Sequence, residues 1–168
     1  MSEKVQIVDE NDQAIGSATR EETWAKGLYH QTIHIIITDK AGNILLQKRS
    51  SQKKLYPNRW TNAVSGHVDE GETYETSASR ELLEEIGISI PLKYLGKFVF
   101  HHEGDGKIIN QFNGVFRGEI PHETSLVLAP EEVSETKWFT KDELAHKITT
   151  KPNDLTPAAQ EVIRRFIL

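Results

Sequence analysis

The chain of 168 residues contains no cysteine, which excludes disulfide bonds, thiolate metal ligands and cysteine nucleophiles. It also lacks an excess of positive charge, because 20 lysines and arginines stand against 25 aspartates and glutamates. The resulting net charge of -5 argues against a nucleic-acid polymer or an anionic membrane as partner. A small, highly charged substrate handled through a metal ion remains compatible with these numbers.

Long hydrophobic runs are absent as well, so the sequence predicts no membrane-spanning segment. The amino-terminal stretch MSEKVQIVDENDQ has no apolar core typical of a signal peptide. We therefore expect a cytoplasmic protein, and its length and 37% hydrophobic content predict a single domain over residues 1–168. The sequence leaves open whether this domain is a monomer or a homodimer.

Alternating and β-branched patterns predict a protein rich in strands with a few helices between them. The clearest strand is 29–38 (YHQTIHIIIT), and the clearest helix is 72–86, which ends before Gly87. Because strands and helices are interspersed, we predict an α+β fold of α/β/α layers with a mixed β-sheet between helices. Further strands are predicted at 5–8, 14–19, 44–49, 60–65, 92–101, 108–117 and 133–139, and further helices at 20–27, 141–146 and 157–167.

The end of the 72–86 helix carries an unusual concentration of negative charge. Glu81, Glu84 and Glu85 follow an i, i+3, i+4 spacing, so their side chains share one face and repel one another. They also lie near the negative end of the helix dipole, and no lysine or arginine follows in the last turn. A solvated acidic face is the alternative interpretation, but the pattern favours carboxylates that bind a cation.

The stretch GHVDEGETYETSASRELLEEIGI, residues 66–88, resembles the Nudix box at every fixed position. The match comprises Gly66, then Glu72 after five intervening residues, and then the run from Arg80 to Ile88 after seven more. The resemblance implies a Nudix fold and hydrolysis of a nucleoside diphosphate linked to another group. It also implies a Mg²⁺ or Mn²⁺ cofactor, since hard cations prefer oxygen ligands.

The resemblance assigns roles to the residues of the box. Glu81 and Glu85 are the expected metal ligands, with Glu84 as a further ligand and the Gly66 carbonyl completing the shell. Arg80 is expected to orient these carboxylates. Glu72 is expected to brace the geometry of the loop and the helix.

A second resemblance covers about the first half of the chain. The segments LYHQTIHIIITDKAGNILLQKRS and KKLYPNRWTNAVSGHVDEGE are similar to type I isopentenyl-diphosphate isomerase, a Nudix relative in which two histidines help to build a metal site. His30 and His67 match those histidines, although packed histidines are the alternative. The isomerase also uses a cysteine as an acid and a Glu-x-Glu pair on a later strand. In this chain Ser65 stands at the position of the cysteine, and Ile109 and Gln111 align with the two glutamates. A serine hydroxyl is too weak an acid to protonate an alkene, so hydrolysis is favoured.

The general base and the substrate contacts remain open at this stage. Glu84 is the first choice of base because it would lie beside a metal-bound water. For the phosphate groups we expect Arg49, Lys48 and Lys54, with Trp60 and His67 completing the substrate site, although Trp60 is equally compatible with the core. The weaker candidates for the base are Glu103 and Asp105 in the hairpin loop. Glu132, which lies with Glu131 and Glu135 near the start of the last strand, is a further possibility.

We consider three hypotheses for the function, and in each of them the binding partner is a small diphosphate compound. The first is a metal-dependent hydrolase that splits the diphosphate of a nucleotide-like molecule. The second is an isopentenyl-diphosphate isomerase. The third is a non-catalytic module that senses a diphosphate ligand, for which the intact box is unfavourable evidence. Nucleoside diphosphates, nucleotide sugars, dinucleotides and isoprenoid diphosphates all satisfy the same site.

Overall fold

The computed structural model describes residues 3–168, and its strands form one mixed sheet with helices on both faces. The predicted α+β sandwich is therefore confirmed. The strands are β1 (Lys4–Val8), β2 (Ala14–Thr19), β3 (Tyr29–Thr38), β4 (Ile44–Arg49), β5 (Trp60–Asn62), β6 (Val64–His67), β7 (Lys93–Gly104), β8 (Lys107–Glu119) and β9 (Val133–Phe139). The helices are α1 (Arg20–Lys26), α2 (Tyr74–Ile86), α3 (Lys141–Thr150) and α4 (Pro157–Val162), which continues as a π-helix over Ile163–Ile167.

Strand β3 is the centre of the sheet, and its alternating side chains divide the core in two. It pairs in parallel with β8 and antiparallel with β6, β1 and β4. Ile33, Ile35 and Ile37 face α2 in one buried cluster, whereas Ile36 packs in a second cluster with residues of α3 and α4. This division follows from the two-residue period of a strand, which sends successive side chains to opposite faces.

The sheet opens where β3 and β4 separate. These strands pair only at Ile37 with Leu45 and at Thr38 with Ile44. Beyond those pairs, β5 continues along β4 while β6 continues along β3. The divergence leaves space at the middle of the sheet, close to the carboxyl-terminal half of α2.

Several predicted boundaries need correction. Helix α2 begins at Tyr74 rather than at residue 72, because Thr73 caps it through a hydrogen bond from the Thr76 amide. The predicted strand 60–65 is two strands that pair with different neighbours. The other end of α2 is confirmed, since Gly87 adopts the left-handed conformation with φ of 72°.

The extent of the domain stays a prediction, and the first two residues of the predicted range 1–168 lie outside the described part of the chain. Between residues 3 and 168, no helix has both the length and the apolar character needed to cross a bilayer.

A buried carboxylate joins the turn after β1 to the start of α2. Asp12 accepts hydrogen bonds from Gln31 Nε2 at 2.8 Å, Tyr74 Oη at 2.8 Å and Lys97 Nζ at 2.6 Å. Tyr74 is the first residue of α2, so this network fixes where the helix starts relative to β3. Asp12 has a positive φ of 62°, a conformation that asparagine also tolerates.

We therefore predict that Asp12→Asn lowers the free energy of unfolding by about 1–3 kcal/mol, because an amide replaces an acceptor that serves three donors. Urea unfolding measures the change, and Glu10→Gln in the same turn is the matched control. Equal stability of Asp12→Asn and wild type would show that the network does not hold α2 in place.

Candidate active site

A cavity of about 680 Å³ lies where β3 and β4 diverge. Its walls come from α1, β3, the loop that follows β4, β6, α2, the β7–β8 hairpin and the segment before β9. Eight of the eleven residues predicted for the site line this cavity. They are Arg49, Lys54, Gly66, His67, Arg80, Glu81, Glu84 and Glu85.

The three glutamates of α2 reach the cavity in different environments. Glu81 and Glu85 are buried, with 7% and 4% of their surface exposed, whereas Glu84 is exposed. Burial raises the pKa of Glu81 to about 7. Burial, together with repulsion from Glu81, raises the pKa of Glu85 to about 8. Two neighbouring carboxyl groups therefore lie in the wall with their charged forms disfavoured.

Arg80 gathers the carboxylates around one guanidinium group. It donates to both oxygens of Glu72 at 2.8 and 2.9 Å, to Glu81 at 2.9 Å and to Glu84 at 3.2 Å. It also donates to the main-chain oxygen of His67 at 3.2 Å. The hydrogen bonds from Arg80 to Glu72 lower the pKa of the Glu72 carboxyl to about 2. Glu72 does not line the cavity and instead anchors Arg80, as the bracing role predicted for it requires.

Gly66 allows β6 and α2 to approach closely. A Cβ atom at this position would overlap the Glu81 carboxyl group. Glycine is therefore needed for packing here, and its backbone lies against the same carboxylate that is predicted to bind metal. Gln47 Nε2 on β4 donates to Glu85 at 2.5 Å and so holds the second carboxylate toward the cavity.

The residues of this wall fit a hard divalent cation. Glu81 and Glu85 supply buried oxygen atoms whose charge lacks full compensation, and Gly66 leaves room beside them. Within residues 3–168, no three histidine, aspartate or glutamate side chains are already arranged to share a metal ion. On α2 the three carboxylates do not converge, because Glu81 and Glu84 point to Arg80 while Glu85 points to Gln47.

The structure separates the candidates for a general base. Glu84, Glu131 and Glu132 line the cavity, whereas Glu103, Asp105 and Glu135 do not. Glu132 forms an ion pair with Lys53, and Glu84 forms one with Arg80. Glu84 differs from Glu132 in lying on the same helix as the two buried carboxylates.

Two of the predicted substrate contacts are not brought to the site. Lys48 and Trp60 do not line the cavity, and Lys48 pairs with Glu135 at 3.5 Å. Trp60 packs edge-on against Phe139. The reason is strand alternation, because Arg49 and Gln47 on β4 point to the opposite face from Lys48. The assignment of Lys48 and Trp60 to substrate binding is therefore corrected.

Two further basic residues predicted for the site line the cavity. Arg49 lines the wall and donates from Nε to the main-chain oxygen of Leu55 at 3.1 Å. Lys54 lines it as well and pairs with Glu21 of α1 at 2.6 Å. These pairs tie the loop at 50–58 to the rest of the cavity.

The two histidines implied by the isomerase resemblance do come together. The rings of His30 and His67 stack with their centres 5.4 Å apart. Burial lowers the pKa of His30 to about 4 and that of His67 well below its ordinary value. Gln111 lies opposite His30 on β8, so no carboxylate occupies the place where the isomerase pattern would put one.

Sequence reasoning missed residues that only the fold brings to the site. Arg20 and Trp24 line the cavity from α1, and Gln47 reaches Glu85 from β4. Arg20 and Trp24 are four residues apart and so share one face of α1. This spacing is the only feature of the sequence that could have indicated their place in the site.

Comparison with known proteins agrees with this architecture. The family described as NUDIX domain matches residues 28–166. The chain is 35% identical over 164 residues to isopentenyl-diphosphate Delta-isomerase 2 of Photorhabdus laumondii, which covers 97% of the chain and 92% of that protein. It is also 35% identical over 158 residues to a prenyl-diphosphate phosphatase of Methanosarcina mazei, covering 93% and 90%. A crystal structure from Deinococcus radiodurans superposes with a TM-score of 0.82 at 22% identity, covering 99% of this chain and all of that one, and shows the same fold.

The buried carboxyls predict how stability depends on pH. Because the pKa of Glu85 rises from 4.5 to about 8 on folding, the folded protein keeps a proton that the unfolded chain releases. The stabilisation that the protonated Glu85 gives the folded state is complete below about pH 4.5 and is lost as the pH rises through 8. In metal-free protein at pH 8.5, Glu85→Gln should therefore raise the free energy of unfolding by roughly 2–4 kcal/mol relative to wild type.

Urea unfolding at pH 5, 7 and 8.5 in the presence of a chelator measures this difference. Glu75→Gln, an exposed position on the same helix, is the control and should follow wild type. A difference between Glu85→Gln and wild type that does not grow with pH would contradict the assigned pKa.

Proposed function

Since the chain belongs to the Nudix family, we propose that it splits the diphosphate group of a small molecule with the help of Mg²⁺ or Mn²⁺. The observation that carries this proposal is the pair of buried carboxylates, Glu81 and Glu85, beside Gly66 in the cavity wall. Such a pair is costly for a protein unless a cation binds there.

The chain's own residues have distinct roles in this proposal. Glu81, Glu85 and the Gly66 carbonyl hold the metal, with Glu84 able to join them. The bound ion supplies positive charge that compensates the phosphate oxygens and makes a neighbouring water more acidic. Glu84 accepts the proton of the attacking water, and Arg80 keeps the carboxylates in place. Arg49 and Lys54 contact the phosphate groups.

The reaction requires only water as a second reactant. The water oxygen forms a bond to phosphorus, the bridging P–O bond breaks, and the bridging oxygen leaves with the other phosphate. For a diphosphate ester the products are a monophosphate ester and inorganic phosphate.

We favour a substrate whose other end is apolar, such as a prenyl diphosphate, over the nucleotide-like compound predicted from the sequence. The cavity wall includes Leu55, Phe100 and Ile109, which suit a hydrocarbon chain. Trp60, the residue predicted to stack on a base, faces away from the cavity. The similarity to a prenyl-diphosphate phosphatase supports the same choice.

An isopentenyl-diphosphate isomerase is the second candidate, supported by 35% identity to a protein of that name. The cavity offers Ser65 where the isomerase pattern has its cysteine acid, and Ile109 and Gln111 in place of its glutamate pair. None of these three side chains is an acid able to protonate an alkene. The isomerase is therefore the weaker proposal.

We predict that Glu81→Gln and Glu85→Gln each lower turnover at least roughly 100-fold, because each removes an ionised metal ligand. Turnover is measured with Mg²⁺ and then Mn²⁺, as inorganic phosphate released from isopentenyl, dimethylallyl and geranyl diphosphates and from nucleoside diphosphates, and as AMP released from ADP-ribose. Glu75→Gln serves as the control on the same helix, and circular dichroism verifies folding. Wild-type rates in both variants would refute the proposal.

The same assay decides between the two candidates. With isopentenyl diphosphate, the hydrolase releases inorganic phosphate and leaves the carbon skeleton unchanged. Conversion to dimethylallyl diphosphate without phosphate release would identify an isomerase instead. Preferential hydrolysis of ADP-ribose or a nucleoside diphosphate over every prenyl compound would reject the apolar substrate class.

A further inference from the structure

One corner of the cavity contains nitrogen atoms that have no partner within the protein. In the part of the chain that the structure describes, five buried side-chain polar atoms lack a hydrogen bond, and four of these belong to neighbouring residues. They are Arg20 Nε, Trp24 Nε1, His30 Nε2 and His67 Nε2. Native proteins rarely leave buried polar atoms unpaired, so this concentration indicates a place where something binds.

The four residues form a compact group. Arg20 and Trp24 are four residues apart on α1 and so share a helix face. The Trp24 ring centre lies 6.2 Å from that of His67, and His67 stacks on His30. Trp24 and His30 are buried, with 6% and 0% of their surface exposed. Arg20, Trp24 and His67 all line the cavity.

The chemistry of these atoms calls for a hydrogen-bond acceptor. The Nε of arginine and the Nε1 of tryptophan can only donate. Arg20 pairs with Glu3 through Nη2 at 3.4 Å, which leaves Nε free. His30 donates from Nδ1 to the Leu28 carbonyl oxygen at 3.0 Å, so its Nε2 can accept the proton of a hydroxyl. His67 Nε2 can either donate or accept a hydrogen bond.

A metal ion does not fit this corner, in contrast to what the isomerase resemblance implies for His30 and His67. The cations Arg20, Arg49 and Lys53 line the same cavity as His67. Gln111 faces His30 where a carboxylate would be needed. Two imidazoles without a carboxylate or thiolate, beside three cations, are a poor site for a divalent ion.

We propose that Arg20, Trp24 and His67, with His30 behind them, form a subsite for a phosphate group, separate from the carboxylates of α2. A phosphate group offers acceptor oxygens for Arg20 and Trp24, and His67 lies beside them in the cavity wall. The subsite and the metal-binding wall line the same cavity, which is where the two phosphate groups of a diphosphate would bind. That the occupant is a phosphate of the substrate rests on the proposed function, whereas the subsite itself does not.

Binding of inorganic phosphate to metal-free protein tests the subsite, with isothermal titration calorimetry as the measurement. Trp24→Phe removes the indole N–H and keeps a ring, and Arg20→Gln removes the charge. Each should weaken phosphate binding roughly tenfold or more, since each deletes a hydrogen bond to a charged group. Lys26→Gln, an exposed cation on the same helix, should bind phosphate as wild type does.

Glu85→Gln separates this inference from the proposed function. The variant should lose turnover and still bind phosphate in the absence of metal. Phosphate binding that is lost in Trp24→Phe would support the subsite even if Glu85→Gln retained full turnover. Phosphate affinity that is unchanged in both Trp24→Phe and Arg20→Gln, with both variants folded, would overturn it. Tight Mn²⁺ binding that depends on His30 but not on Glu81 would also overturn it.

Inhibition kinetics identify the source of the phosphate. If inorganic phosphate competes with the diphosphate substrate in wild type and the inhibition weakens in Trp24→Phe, the subsite holds a phosphate group of the substrate. If the inhibition is non-competitive and weakens in the same variant, the subsite binds free phosphate as a separate ligand. Either pattern supports the subsite, and inhibition that is unaffected by Trp24→Phe counts against it.

Discussion

The acidic end of α2 depends on the guanidinium group of Arg80. Three like charges on one helix face, at the negative end of the dipole, would repel one another and disfavour the helix. Arg80 compensates them by donating to Glu81 and Glu84, and Glu72 fixes Arg80 from the preceding loop. The arrangement keeps the carboxylates together without neutralising Glu85, which remains buried with a raised pKa. A divalent ion then needs to rearrange only the side-chain oxygens, because the helix and loop are already in place.

The alternation of side chains along β3 and β6 explains why one cavity has two unlike walls. His67 lies opposite Thr32 and Ser65 opposite His34, so these four side chains share the face that carries the histidine corner. Gly66 between them belongs to the other face, where it contacts Glu81. The carboxylates of α2 thus approach from one side of the sheet, whereas Trp24 of α1 lies beside His67 on the other. Both walls line the same cavity.

The sequence predicted the local features well and the tertiary ones poorly. Strands β2, β3, β4 and β9 end at the predicted residues, because alternation and turn residues are short-range signals. The i, i+3, i+4 spacing likewise placed Glu81, Glu84 and Glu85 together. The errors have a common cause in contacts between distant segments. Pairing with two different strands divides the predicted strand 60–65, alternation turns Lys48 from the cavity, and Arg20 enters the site only through the packing of α1.

The choice between hydrolysis and isomerisation on one architecture depends on which wall holds an acid. Moving a double bond requires a proton to be delivered to carbon, and the histidine side of this cavity offers Ser65, Gln111 and neutral imidazoles instead of an acid for that step. Hydrolysis requires only that water be activated beside the phosphates, and α2 carries a complete set of carboxylates for that purpose. The donors beside those imidazoles, Arg20 Nε and Trp24 Nε1, suit phosphate oxygens instead. The acids and donors that each wall carries, rather than the fold, therefore separate the two chemistries.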